Sequence, residues 1–155
     1  MKGNEKLIAE LNARLAEELT AINQYMVHSE MCANWGYERL HKVIEKRAVD
    51  EMKHAEALIE RILFLEGLPI VSVLNEIHVG PEVQSQHKND LAAEGIAVKG
   101  YNEDIRLAAE VGDNVTRELL TSILKDEEQH VDWLEAQLDQ IRQMGIQNYL
   151  TEQID

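Results

Sequence analysis

The chain has 155 residues, 45% of them hydrophobic, with 29 acidic against 15 basic side chains and a formal charge of −14. That length suits one domain over residues 1–155 with a sizeable core; the acidic balance excludes nucleic acid and anionic membranes as partners and suits cations. The lone cysteine, Cys32, cannot form an intrachain disulfide, and there is no signal-like start and no apolar run near roughly 18 residues, so a soluble, cytoplasmic protein is expected.

Asn4 is placed to cap a first helix that carries Leu7, Leu11, Leu15, Ile22, Tyr25 and Ser29 or Cys32 at helical intervals up to Gly36. A second helix from about Glu38 runs through Ile44, Ala48, Ala55, Leu58, Ile62 and Leu65 and stops at EGLP. Residues 67–81 lack periodicity, contain both prolines and make an unusually long connection. Pro81 suits the first position of a third helix, which carries Leu91, Val98, Tyr101, Ile105 and Ala108 to Gly112. A fourth carries Leu120, Leu124, Val131, Leu134, Leu138 and Ile141 to Gly145, and IQNYLTEQID follows. No strand pattern competes, so the class is all-α with four long helices. A helix of about 30 residues spans about 45 Å, a distance that about 15 extended residues can just cross. The long connection therefore permits parallel second and third helices, the single-crossover bundle, as well as simple up-down-up-down order.

Shifting the second half onto the first by 76 residues aligns Glu18 with Glu94, Tyr25 with Tyr101, Gly36 with Gly112, Asp50 with Asp126, Glu51 with Glu127 and His54 with His130. The chain is an internal repeat. Glu18 and Glu94 lie within apolar stripes, and Glu51 and Glu127 lie one turn from Ala48, Ala55, Leu124 and Val131, so all four glutamates point at the core. Burying ionised groups costs several kcal/mol each unless they are paired or metal-bound. Arg47 is the nearest cation on these faces and cannot neutralise them all. Two divalent ions balance four carboxylates, with the imidazoles of His54 and His130 completing the shell. Such oxygen-rich ligation suits iron or manganese better than structural zinc. One Glu-x-x-His on an acidic helix is ordinarily a solvated face. Two of them, each with a glutamate 33 residues upstream, favour a dinuclear site.

Met52 lies about 100° around the helix from Glu51 and joins Val49 and Ile59 in a second apolar strip, which reads as a subunit contact. Tyr25 and Tyr101, two turns after Glu18 and Glu94, are placed either to hydrogen-bond the ligand carboxylates or to pack as core residues with buried hydroxyls. Trp133 reads as a helix-packing residue, with an oxidisable aromatic near His130 as the alternative. His28, His41, His78 and His87 have no partners at ligand spacing and read as surface or local structural residues.

Over essentially its whole length, from MKGNEKLI, LAEELTAINQYMVHSEMCANWG and DEMKHAEALIERILFLEGLP to EEQHVDWLEAQL and NYL, the chain resembles the bacterioferritins. The resemblance implies the single-crossover ferritin-like bundle, a short fifth helix near 146–153 and a hollow shell of 24 identical subunits. It implies a ferroxidase, with two iron ions per subunit held by Glu18, Glu51, His54, Glu94, Glu127 and His130, and with Glu51 and Glu127 bridging. Fe(II) would be oxidised by O2 or H2O2 and stored as ferric mineral. Met52 matches the methionine that ligates haem b from both sides of a two-fold interface, and a small ferredoxin is implied as electron donor. Lys46 departs from the histidine that some members pair, at an inner-surface iron site, with an acid matching Asp50. His130 argues against non-haem ferritins, which usually keep only the first Glu-x-x-His, and one cysteine cannot supply the CxxC iron domain of rubrerythrins. A di-iron oxidase or peroxidase of rubrerythrin type without storage is the alternative, and a structural bundle the third reading.

Overall fold

The computed structural model describes residues 1–155. Five helices and no strand are present: α1 (Glu5–Asn34), α2 (Glu38–Phe64), α3 (Val83–Glu110), α4 (Asn114–Met144) and α5 (Ile146–Thr151). Polar side chains take up the free amides at helix starts. Asn4 Oδ1 accepts from Leu7 N at 3.0 Å, and Asp113 Oδ1 from Thr116 N at 3.0 Å. At α3 the sequence expectation needs correction, because Pro81 lies outside the helix. The chain is still extended at Glu82 (φ −144°, ψ 164°), where Ser85 Oγ accepts from Glu82 N at 3.2 Å and sets the first turn. The helix ends follow glycine at the repeat-related Gly36 and Gly112, with φ of 83° and 76°. The end of α2 does not: Glu66 takes the left-handed conformation (φ 62°), while a Cβ on Gly67 would sit 2.6 Å from Ile8 Cγ2. Gly67 is there for close packing.

Cross-helix contacts set the topology. Ser29 meets His41, so α1 and α2 are antiparallel. Arg14 meets Asp104 and Gln24 meets Asp90, so α1 and α3 are antiparallel, and α2 and α3 therefore run parallel. Arg61 with Asp113 and His54 with Asp126 make α4 antiparallel to α2. This is the single-crossover bundle. The long connection lies along α1, donating from Ile70 N to Asn12 Oδ1 (2.9 Å), Asn75 N to Thr20 Oγ1 (2.8 Å), His78 N to Gln24 Oε1 (3.1 Å) and Gly80 N to His28 Nε2 (2.9 Å). Polar residues of α1 thus supply the partners that a strandless segment lacks.

Two apolar clusters fill the bundle. One gathers Leu11, Leu15, Leu58, Ile62, Tyr101 and Leu120; the other gathers Tyr25, Cys32, Leu40, Ile44, Ile141 and Tyr149. The buried glutamates and histidines belong to neither. No helix is long and apolar enough to cross a membrane.

Candidate metal centre

All six expected ligands are buried, and they converge from four helices: Glu18 from α1, Glu51 and His54 from α2, Glu94 from α3, and Glu127 and His130 from α4. Their ligand atoms form two groups, Glu18–Glu51–His54–Glu127 and Glu51–Glu94–Glu127–His130, each within 4.8 Å. Glu51 and Glu127 belong to both groups, which is the position of bridging carboxylates.

His54 Nδ1 lies 2.9 Å from Glu127 Oε1, 3.4 Å from Glu51 Oε2 and 3.6 Å from Glu18 Oε2. His130 Nδ1 lies 3.0 Å from Glu51 Oε1 and 3.3 Å from Glu94 Oε1. Donors that surround an ion at about 2.1 Å are separated from each other by about 3.0–3.5 Å, and these spacings match. Glu18 Oε2, Glu51 Oε1, His54 Nδ1, Glu94 Oε2, Glu127 Oε1 and His130 Nδ1 are all buried with no hydrogen-bond partner. Six buried ligand atoms without hydrogen-bond partners, aimed at common points, fit two divalent ions once the histidine protons are displaced.

Without metal, protons do part of the ions' work. Burial, and then the neighbouring Glu51 carboxylate, hold Glu18 well above the usual carboxylate range. Burial, and then the adjacent Glu94 carboxyl, raise Glu127. Burial opposes charge on the histidines as well, but Glu127, Glu18 and Glu51 outweigh it at His54, and Glu51 and Glu94 push His130 up to about 9. Glu51 moves the other way: its burial opposes the charge, but the close approach of Glu18, His130 and His54 outweighs it and lowers its pKa.

Around the six lies a reciprocal shell. Tyr25 donates to Glu94 Oε1 at 2.6 Å, and Tyr101 donates to Glu18, so each tyrosine serves the other half's glutamate. Asp126 Oδ2 lies 2.9 Å from His54 Nε2, and Asp50 Oδ2 lies 3.5 Å from His130 Nε2. Helical spacing alone does not mark these aspartates as orienting groups. Their exact match under the repeat shift was the available signal.

Arg47 does not serve the glutamates. Its Nη2 donates to buried Asp90 at 2.7 Å, its guanidinium lies over Tyr25 and Trp133, and Asp90 also meets His28 Nδ1 at 2.8 Å. His28 and His87 are therefore buried structural residues, and Trp133 packs edge-on against His87. His78 is exposed. Met52 and Val49 are exposed on α2, 44% and 40%, whereas Ile59 packs against the core cluster, so the outer strip is shorter than expected. Lys46 Nζ is 3.0 Å from Asp50 Oδ2.

A cavity of about 450 Å³ connects Glu18, Glu51, Glu94 and Glu127 with Asn75 and His78 of the connection. A family profile described as a ferritin-like domain matches residues 8–144. The chain is 42% identical to a bacterioferritin of Rhodobacter capsulatus over 149 residues, 96% of this chain and 92% of the relative. It is 41% identical to a bacterial ferritin of Synechocystis over 155 residues, 99% of each, and 39% identical to a bacterioferritin of Brucella melitensis over 96% of this chain and 92% of that one. With a single-crossover bundle, four helices meeting at a carboxylate and histidine cluster, and such likeness along its length, the chain belongs to the ferritin-like family and, within it, to the bacterioferritins.

Proposed function

We propose that this protein stores iron, oxidising Fe(II) at the dinuclear cluster and keeping the ferric product inside a shell of 24 copies. One observation carries the reading: two four-donor groups share Glu51 and Glu127, so two ions held there would lie side by side in reach of one oxidant, O2 or H2O2. Fe(II) is the substrate. Hard carboxylate oxygens favour the ferric product over the ferrous reactant. Entry through the cavity beside Asn75 and His78 brings Fe(II) to Glu18 and Glu94, whose second oxygens the tyrosines hold. His54 and His130 surrender protons as the ions bind. The storing reading is preferred to a rubrerythrin-type oxidase because the relatives over nearly the full chain are bacterioferritins.

Haem b is proposed at a two-fold interface. Met52 presents a thioether outward beside exposed Val49, so a soft donor is available on this face, and Met52 with its two-fold copy would hold the haem. When bound, haem supplies a one-electron relay, for which a small ferredoxin is the proposed donor. A cytoplasmic location belongs to the same reading.

The test is rapid mixing of O2 or H2O2 with assembled protein loaded with two Fe(II) per chain, followed by measurement of the iron retained. Glu127→Ala and His130→Ala should each lose the fast oxidation phase with helical content unchanged. Wild-type kinetics in either variant would contradict the assignment, and fast oxidation without retained iron would favour the non-storing oxidase.

A further inference from the structure

A third convergence of metal-ligating side chains lies outside the bundle core, where the end of α1 faces the start of α2. We propose that Glu30, His41 and Glu45 form a separate site for one divalent first-row transition ion. One ligand atom from each lies within 4.8 Å of the other two, and the three come from two helices. This is an imidazole with two carboxylates, a donor set that suits Fe(II), Co(II) or Zn(II).

The histidine is held ready for a metal. Ser29 Oγ donates to His41 O at 3.1 Å, so that oxygen accepts from His41 Nδ1–H at 2.8 Å, and Ser29 O lies 3.2 Å from the same nitrogen. With its proton fixed on Nδ1, the neutral ring carries its lone pair on Nε2. Orientation of a ligating imidazole through its other nitrogen is what metal sites ordinarily use. Nε2 lies 3.7 Å from Glu45 Oε2, too far for a hydrogen bond and close to the separation of two donors on one ion.

Charge points the same way. Two carboxylates and a neutral imidazole leave two negative charges for a dication to balance. The nearby lysines are engaged elsewhere, Lys42 with Glu38 at 3.8 Å and Lys46 with Asp50 at 3.0 Å. The His41 side chain is only 17% exposed whereas Glu45 is 60% exposed, so protein covers one side of the ion and water completes the other. Glu45, Val49 and Met52 follow one another at helical spacing on the outer face of α2, whereas Glu51 and His54 are buried. The new site therefore borders the Met52 face and is independent of the dinuclear cluster.

The test is calorimetric titration of Co(II) into the full-length, chelator-stripped protein, with anomalous diffraction from Zn(II)-soaked crystals. His41→Gln, which keeps an amide N–H for Ser29, and Glu45→Gln should each bind one Co(II) fewer per chain than the wild type while fast Fe(II) oxidation persists. His130→Ala should keep the extra ion, which separates this site from failure of the dinuclear one. A zinc peak should stand among Glu30, His41 and Glu45. Equal Co(II) stoichiometry in the wild type, His41→Gln and Glu45→Gln, or no zinc peak there, would overturn the proposal and leave His41 and Glu45 as polar neighbours at the surface.

Discussion

The two aspartates behind the histidines are alike in sequence and unequal in place. Asp126 sits 2.9 Å from His54 Nε2, whereas Asp50 is 3.5 Å from His130 and is drawn towards Lys46. An imidazole that donates Nε2–H to a carboxylate keeps its Nδ1 lone pair for metal. Asp126→Asn should therefore weaken metal binding beside His54 by about tenfold, the lower end of such effects because Asp126 is half exposed. Asp50→Asn should do less, and equal losses in anaerobic Co(II) titrations of the two variants would contradict the asymmetry. Protons give a second prediction at this scale. Metal competes with protons for the same lone pairs, and His130 holds its proton up to about 9. Metal loading should release protons and should tighten as pH rises towards that value. Indicator absorbance in weak buffer measures the release; its absence would mean that the cluster is deprotonated before metal arrives.

At the scale of elements, the halves are related in charge as well as identity. The 76-residue shift carries Arg14 to Asp90 and His28 to Asp104. The pairs Arg14–Asp104 (3.4 Å) and His28–Asp90 (2.8 Å) are thus equivalent contacts between α1 and α3, with cation and anion arranged differently in sequence. A search for identical residues misses them. Docking of α5 rests on another buried polar contact. Tyr149 donates to Gln137 Oε1 at 2.6 Å, so its oxygen accepts from His87 Nε2–H at 3.1 Å. Burial, then the charge of Arg47, lowers the His87 pKa to about 4, below its ordinary value of 6.5. The folded state favours neutral His87; its stabilising contribution is complete above pH 6.5 and is lost as pH falls through 4. The loss is on the order of 3 kcal/mol per chain. His87→Gln should flatten the acid side of the stability curve between those pH values, as read by denaturant unfolding of the apo protein. An unchanged slope would show that His87 is not the group being titrated.

For the whole molecule, the apolar side chains left outside the bundle matter most. Val49 and Met52 on α2, Leu63 and Phe64 at its end, and Leu68 and Val71 in the connection are exposed in the single chain. Shell assembly is proposed to cover them. Met52→Leu preserves most of the apolar volume, so assembly should survive at a cost below about 1.5 kcal/mol. Haem binding should be lost with the thioether. Fe(II) oxidation, which uses the inward face, should stay near wild-type rate, and reductive iron release should slow. Sizing, the haem absorption spectrum and oxidation kinetics on one preparation check all three. A bis-methionine haem spectrum in the variant would refute the Met52 assignment, and joint loss of haem and oxidation would show that the two faces are coupled.

Sequence by itself determined the helices, the repeat and the six converging donors, because 3.6-residue periodicity and a 76-residue shift are properties of order along the chain. It also put Tyr25 and Tyr101 on the inward faces, where hydrogen bonding to the ligand carboxylates and plain core packing were both open; the structure pairs each with the other half's glutamate. What spacing cannot tell is which face meets which helix. By spacing Arg47 is the nearest cation to the glutamates, yet it pairs with Asp90 across the bundle, and packing alone defines the roles of His28 and His87. The direction of the crossover is equally open in the spacing, because a long connection permits two topologies; hydrogen bonds donated by backbone amides of the connection to Asn12, Thr20, Gln24 and His28 hold it along α1 and decide between them. Contacts between residues distant in sequence depend on the three-dimensional complement of surfaces, and only the tertiary structure supplies it.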